Sequence, residues 1–177
     1  MKNKVFIFLA VLFFSSNAIA HSIKLTNASV DIYFSPNGGC TDAIIEVIEH
    51  AKMEILVQSY SFTSKPIVQA LVNAHKRGVK TRVILDRSNR TAKYSAADFT
   101  AHMGIPTFID DAHAIAHNKI MIVDRETVIT GSFNFTKAAE ERNAENLLII
   151  RSKELARMYI DNWNDHQKHS YEYKGKE

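Results

Sequence analysis

An α/β fold, in which helices flank both faces of a mixed β-sheet, is the fold class that the sequence predicts. Short β-rich segments alternate with stretches whose apolar residues recur at helical spacing. Turn and capping residues separate most of these segments, and no low-complexity linker or internal duplication interrupts the pattern. We therefore expect one domain with a sizeable core rather than two smaller domains.

The predicted strands are rich in β-branched and aromatic residues, and Gly, Pro, Asn or Asp borders most of them. The segment that begins at Glu54 continues as an apolar run, which is typical of a strand buried on both faces. The predicted strands cover residues 30–34, 54–60, 79–86, 107–109, 119–123, 127–130 and 147–150.

Helices are predicted between these strands. Thr41 is expected to cap the first helix, and the second is expected to start near Pro66. A third is predicted over residues 92–103, and a closing helix turns Trp163 towards the core. The polar tail from about His166 is expected to fray.

Residues 1–20 have the pattern of a signal peptide. Two lysines precede a short apolar run, and the small residues Ala18 and Ala20 favour cleavage before His21. The run is too short to span a bilayer comfortably, so we expect no stable membrane anchor after cleavage. The sequence thus predicts an exported protein, either periplasmic or secreted, with a mature domain over residues 21–177.

Charge and cysteine content exclude some classes of function. Loss of the two lysines in the signal peptide lowers the formal net charge from +3 to about +1, so global charge does not predict a nucleic-acid partner. The single cysteine, Cys40, excludes an internal disulfide and a multi-thiolate metal site. We expect a buried or loop thiol, with an intermolecular disulfide as the alternative.

A catalytic motif of the form His-x-Lys-x4-Asp is formed by His117, Lys119 and Asp124. In an extended segment, alternation puts His117 and Lys119 on one face, about 6 to 7 Å apart at their backbones. Asp124 has the opposite parity, so we expect it to make a structural salt bridge or hydrogen bond. The segments 50–52 and 166–168 also match His-x-Lys but lack the aspartate, so only the complete motif is informative.

The segment Gly131-Ser132-Phe133-Asn134 follows the motif. Ser132 and Asn134 repeat the two-residue spacing, and Gly131 would let the backbone approach a bound group closely. A histidine nucleophile, a fixed cation and neutral donors together suit the cleavage of a phosphodiester. This chemistry requires no metal ion or other cofactor.

These residues resemble the signature of the phospholipase D superfamily, and the single-motif layout is similar to its small bacterial endonucleases. The resemblance extends to residues 60–64 and 143–146. It implies a phospholipase D-like single domain that works as a homodimer, with the active site at the subunit interface. His117 of one subunit would attack phosphorus, while His117 of the other would protonate the leaving oxygen.

The resemblance also implies roles for the other site residues. Lys119, Ser132 and Asn134 would hold the non-bridging oxygens, and Glu145 would accept a hydrogen bond from the other ring nitrogen of His117. The expected activity is that of a sequence-nonspecific DNA or RNA endonuclease. Hydrolysis of phospholipid headgroups is the alternative with the same chemistry, and a non-catalytic nucleic-acid-binding module is the alternative without it.

Two other sites remain open. Ser132, His117 and Glu145 could form a hydrolase triad, but the second glycine of the Gly-x-Ser-x-Gly motif is absent. A short acidic and histidine-rich segment could ligate zinc or manganese, although it would need remote ligands to surround the ion. The candidate ligands in that segment are Asp110, Asp111, His113 and His117.

A run of basic residues precedes this segment. Most of these side chains are expected to be solvated at a helix end or along a strand, while some are expected to flank the active site and follow a phosphate backbone. The run comprises Lys76, Arg77, Lys80, Arg82, Arg87, Arg90 and Lys93.

Overall fold

The computed structural model describes residues 22–92 and 95–176. The predicted signal peptide and Lys93 lie outside these residues. The strands are β1 (Ser29–Ser35), β2 (Glu54–Ser59), β3 (Lys80–Asp86), β4 (Thr107–Asp110), β5 (Lys119–Val123), β6 (Thr127–Gly131), β7 (Glu145–Arg151) and β8 (Tyr171–Tyr173). The helices are α1 (Cys40–His50), α2 (Lys65–Lys76), α3 (Ala96–His102), α4 (Lys137–Glu141) and α5 (Lys153–His169).

All of these strands belong to one eight-stranded sheet with the order β1-β7-β6-β5-β2-β3-β4-β8. The neighbours β2, β3 and β4 run parallel, whereas every other pair in the sheet is antiparallel. All six residues of β2 are buried, as expected for a central strand. The predicted mixed sheet is therefore confirmed.

Side chains that alternate along the strands form a separate core on each face of the sheet. One face carries residues such as Val57 and Met121 and is covered by α1 to α4. The other face carries Leu56 and Ile122 and packs against α5, whose Trp163 is fully buried. The predicted helices on both faces are thus present. Within the two described ranges, none of the helices combines the length and apolar character needed to cross a bilayer.

Two helices begin at residues other than those predicted. The first begins at Cys40, and its N-cap is Gly39 in the left-handed conformation (φ 78°) rather than Thr41. The backbone N–H groups of Gly39 and Thr41 donate to the carboxylate of Glu140 in α4. The third helix begins after residue 95 because Ser95 caps it and accepts a hydrogen bond from the backbone of the second helical residue.

The C-terminal segment is ordered by long-range pairing. Helix α5 continues to His169, and β8 then pairs antiparallel with β4. The hydroxyl of Tyr173 donates to Asp98 in α3 at 2.6 Å. The structure therefore corrects the prediction that the chain frays from about His166, because these polar residues complete an edge of the sheet.

Candidate active site

The sheet order brings four strand ends to the same place. The adjacent strands β7, β6, β5 and β2 alternate in direction, so the carboxyl ends of β2 and β6 meet the amino ends of β5 and β7. We call this side of the sheet the active-site edge. It carries Tyr60, His117, Lys119, Ser132, Asn134 and Glu145. Residues far apart in sequence are thereby gathered at one edge.

The side chains of His117 and Lys119 are in direct contact. The ammonium nitrogen of Lys119 lies 3.1 Å from Nδ1 of His117 and donates to the carbonyl oxygen of His117 at 2.8 Å. Lys119 is 7% exposed, whereas His117 is exposed to solvent. Because an ammonium group can only donate, Nδ1 must be the acceptor, and a neutral His117 carries its proton on Nε2.

Glu145 acts on Lys119 through its charge. Burial lowers the pKa of Lys119, and the negative charge of Glu145 opposes this shift. Oε1 of Glu145 accepts a hydrogen bond from Asn143 at 3.1 Å. Among the described residues, the expected hydrogen bond between Glu145 and His117 is not formed, because Lys119 faces Nδ1 of the ring.

Tyr60 forms a wall of the site to which the sequence assigned no role. Its ring lies 4.5 Å from the ring of His117, and the ammonium of Lys119 lies 5.2 Å from its centre. The backbone N–H of Tyr60 donates to the carbonyl oxygen of Asn118 at 2.8 Å, which joins the end of β2 to the start of β5. A tyrosine directly after a buried strand is the sequence signal that could have identified this position.

Ser132 and Asn134 follow β6 at the same edge. The hydroxyl oxygen of Ser132 accepts a hydrogen bond from the backbone N–H of Asn146 at 3.0 Å, so its own proton can be donated elsewhere. The side-chain oxygen of Asn134 is buried and has no hydrogen-bond partner among the described residues. Both side chains therefore retain hydrogen-bonding capacity that this chain does not use.

Gly131 makes room for β7 rather than for a bound group. Its φ is 146°, and a Cβ at this position would lie 2.2 Å from the carbonyl oxygen of Asn146. A side chain would thus collide with backbone of the neighbouring strand. This is a structural role, but its cause differs from the close approach to a ligand that we expected.

Asp124 lies at the end of the sheet opposite His117. Its carboxylate accepts hydrogen bonds of 2.7 to 3.0 Å from the backbone N–H groups of Lys52, Met53 and Glu54. Asp124 also adopts a left-handed conformation, with φ 53°, in the turn between β5 and β6. It therefore joins this turn to the start of β2.

The basic residues of the run lie at both ends of the sheet, some at the active-site edge and some at the opposite end. Arg82 pairs with Glu54 at 2.9 Å, and Arg77 donates to backbone carbonyls at the end of α1. Arg87 and Arg90 are exposed residues of a 3-10 helix that directly follows β3, at the active-site edge. Within the described residues, neither of these two arginines forms an ion pair.

The structure places only two of the four predicted metal ligands, Asp110 and His113, in one cluster. Asp110 and His113 lie together, but their neighbours are His166 and His169 from α5 rather than Asp111 and His117. The α5 histidines were not among the predicted ligands because only the fold brings them to β4. Their spacing of three residues on one helix, matched by the spacing of Asp110 and His113, was the available signal.

Comparison with known proteins shows the family. A family model described as cardiolipin synthase, PLD-like domain, matches residues 44–166. A protein named phospholipase D from Rickettsia felis is 46% identical over 140 residues, which cover 79% of this chain and 70% of that protein. The mitochondrial cardiolipin hydrolase of the dog is 28% identical over 161 residues, covering 85% of this chain and 63% of that protein.

A solved structure gives the same result. The crystal structure of Nuc from Salmonella typhimurium, a phospholipase D family member, superposes with a TM-score of 0.81 and 39% sequence identity. The match covers 84% of this chain and all of the Nuc chain. The chain therefore belongs to the phospholipase D superfamily, whose members hydrolyse phosphoric diester bonds, and is a phosphodiesterase.

Proposed function

We propose that this phosphodiesterase is an exported, sequence-nonspecific DNA or RNA endonuclease, and that it acts as a homodimer without a catalytic metal ion. The observation that carries the proposal is the contact between His117 and Lys119 at the active-site edge. It puts a nucleophilic imidazole beside a fixed cation, which is the arrangement that attack on a phosphodiester needs. The similarity to Nuc over the whole of that chain supports the choice of substrate.

In the first step, Nε2 of His117 attacks phosphorus. A nitrogen–phosphorus bond forms, the bond between phosphorus and the leaving oxygen breaks, and that oxygen takes a proton from His117 of the second subunit. In the second step, the second histidine removes a proton from water. The water oxygen bonds to phosphorus while the nitrogen–phosphorus bond breaks, which releases His117 and the phosphate monoester.

Substrate binding would change the hydrogen bonding of His117. Attack requires a lone pair on Nε2, whereas the contact with Lys119 leaves the proton of the neutral ring on that atom. A phosphate would draw the ammonium away from Nδ1, because an ammonium binds an anion more strongly than a neutral nitrogen. The proton could then reside on Nδ1 and be donated to Glu145.

The mechanism needs two histidines, but each chain supplies only one complete motif. One general acid contributes about 3 to 5 kcal/mol, whereas each preorganised donor contributes about 3 kcal/mol. A second subunit would add its own Lys119, Ser132 and Asn134 to the same phosphate. The hydroxyl of Ser132 supports such a shared site, because its oxygen already accepts from the backbone N–H of Asn146 and its proton can be donated to a phosphate.

An exposed apolar surface supports a second subunit beside the site. Val30, Ile32 and Phe34 alternate along the edge strand β1, and they are 43%, 56% and 67% exposed. Phe34 pairs with Asn146, the residue after Glu145, so this surface reaches the active-site edge. An exposed apolar edge strand usually requires a cover in a stable protein, and a second copy of the chain would provide it.

The charged residues at the active-site edge favour a polyanionic substrate. Arg87 and Arg90 project from the 3-10 helix after β3, two strands away from β5. Two strand spacings correspond to about 10 Å, so these arginines can contact phosphates that flank the cleaved bond. Contacts to phosphates do not distinguish one base from another, so they suit cleavage without sequence specificity.

A nicking assay in chelator tests the proposal. Wild-type protein should convert supercoiled plasmid to open circles in EDTA, and His117→Ala should lose this activity. His50→Ala is the matched control, because His50 belongs to an incomplete His-x-Lys segment and should retain full activity. Absence of nicking by the wild type, or activity that depends on an added metal ion, would contradict the proposal.

The proposed export has a separate test. If the signal peptide is removed, protein recovered from the periplasm should begin at His21.

Hydrolysis of phospholipid headgroups is the second candidate. It is favoured by the names of the relatives and by Ile115, which is 57% exposed two residues before His117 and could contact acyl chains. Release of headgroups from labelled vesicles, without nicking of DNA, would select this function. The same His117→Ala and His50→Ala pair distinguishes either activity from a contaminant.

A further inference from the structure

Three imidazoles converge on one buried carboxylate at the end of β4. Asp110 is fully buried, and its carboxylate lies 3.1 Å from Nδ1 of His113, 2.8 Å from Nδ1 of His166 and 3.3 Å from Nε2 of His169. The ring centres of the three histidines are 4.8 to 5.2 Å apart. Each ring therefore turns one nitrogen towards a common point.

The facing atoms of the four side chains form a ligand set of one carboxylate oxygen and three imidazole nitrogens. Zinc is bound by such ligands, usually in tetrahedral geometry.

We propose that Asp110, His113, His166 and His169 bind one Zn²⁺ ion. In a tetrahedral site with bonds of about 2.0 Å, the ligand atoms are about 3.3 Å apart. The four candidate atoms already lie within 4.8 Å of one another, so small side-chain movements close the site. On binding, each facing nitrogen presents its lone pair, and its proton moves to the other nitrogen of the ring.

The exposure of the ligands supplies an entry path. The side chains of Asp110 and His166 are 0% and 15% exposed, whereas those of His169 and His113 are 37% and 45% exposed. The fold thus holds the buried side chains of Asp110 and His166 in place, whereas the exposed side chains of His113 and His169 can rotate to admit the ion. This is a structural zinc site with remote ligands, which the sequence of the β4–β5 segment alone did not supply.

The ion would fix a loop rather than take part in the hydrolysis. Three strand spacings separate β4 from β5, so the site lies roughly 14 Å along the sheet from the start of β5, which carries Lys119. His113 belongs to the loop that leads to His117, and the backbone of Ala116 in that loop is held by Asp86 at 2.8 Å. Zinc would therefore tie the approach to His117 to the end of α5.

Metal content and thermal stability test this proposal independently of activity. Protein stripped with EDTA and dialysed should take up one equivalent of Zn²⁺ per chain, measured by elemental analysis. At a zinc concentration 100 times the Kd, Tm should rise by roughly 5 to 10 °C. Cobalt should give the intense visible absorption of a tetrahedral site.

His169→Ala and Asp110→Asn should each abolish stoichiometric uptake and the rise in Tm. His169 is partly exposed, so its variant should still fold even if Asp110→Asn does not. His50→Ala is the control and should bind zinc like the wild type. Unchanged uptake by His169→Ala, an equal loss in His50→Ala, or no uptake by the wild type would each overturn the proposal.

Discussion

The ammonium nitrogen of Lys119 lies 3.1 Å from Nδ1 of His117, and this contact determines which ring nitrogen carries the proton before substrate binds. It also leaves a buried cation beside the imidazole that would attack phosphorus. Lys119 thus has two functions in the proposed mechanism. It binds the phosphate, and by leaving Nδ1 it makes Nε2 of His117 nucleophilic.

Lys119→Ala should lower kcat by about 10²- to 10³-fold, because it removes a preorganised donor to the phosphoryl oxygens. The effect should be measured on a dinucleotide or plasmid substrate at saturating concentration. Lys52→Ala is the matched control, since Lys52 occupies the same place in an incomplete motif and is exposed. A change only in KM would mean that Lys119 contributes to ground-state binding alone.

Mixtures of His117→Ala and Lys119→Ala subunits should not regain wild-type activity. If two chains share one pocket, each mixed site still lacks one histidine and one lysine. The variants should be co-refolded, and the mixed dimer should be purified with two different tags before the assay. Full recovery would refute a single shared pocket, because it requires a complete site that takes its histidine from one chain and its lysine from the other.

Glu145→Gln should narrow the pH range of activity on the alkaline side. Burial already lowers the pKa of Lys119, and the charge of Glu145 raises it, so removal of that charge lowers the pKa further. Lys119 then loses its proton at a lower pH, so the decline of kcat on the alkaline side of the pH profile begins at a lower pH. We also expect a fall in kcat of roughly 10- to 100-fold. Glu141→Gln, on an exposed residue of α4, should leave the profile unchanged.

The local part of the site could be predicted from the sequence, and the long-range part could not. Alternation along one extended segment brings His117 and Lys119 together, so their spacing sufficed. A tyrosine directly after a buried strand marks Tyr60, but its place beside His117 depends on the antiparallel pairing of β2 with β5, which no local pattern predicts. The hydrogen bond expected between Glu145 and His117 is not formed among the described residues, where Lys119 faces the same ring nitrogen.

The same distinction applies to the fold. Central strands such as β2 were predicted because a continuous apolar run is readable without knowledge of its neighbours. The three-residue strand β8 was not predicted, since its polar residues become a strand only by pairing with β4. The Thr41 cap failed for a similar reason, because Glu140, from a distant helix, satisfies the first N–H groups of α1.

Asp124→Ala should lower the free energy of unfolding by about 2 to 4 kcal/mol, because backbone N–H groups of three residues lose a charged acceptor. Urea unfolding measures this change. Asp161→Ala, on an exposed residue of α5, should cost less than about 0.5 kcal/mol. The folded fraction of Asp124→Ala should keep its kcat within about tenfold of wild type. A loss of kcat with unchanged stability would instead assign Asp124 to catalysis.

Tyr173→Phe should destabilise the C-terminal strand in a pH-dependent way. The hydrogen bond from Tyr173 is the main cause of the lowered pKa of Asp98. A carboxyl group with a lowered pKa stabilises the folded state above its unfolded pKa of about 3.9, and this contribution is lost as pH falls through the folded value. The variant should therefore be less stable than wild type by about 1 kcal/mol at pH 6, after allowance for the 34% exposure of Asp98.

The difference between Tyr173→Phe and wild type should shrink as pH falls below the unfolded pKa of about 3.9. Urea unfolding at several pH values measures it. Tyr171→Phe is the control because Tyr171 is exposed and its hydroxyl accepts a hydrogen bond from Arg90 at 3.3 Å. Burial, together with Asp98, also raises the pKa of Tyr173 to about 12. A penalty that stays constant from pH 3 to 6 would show that packing of the ring, rather than the ionised Asp98, holds β8 to the sheet.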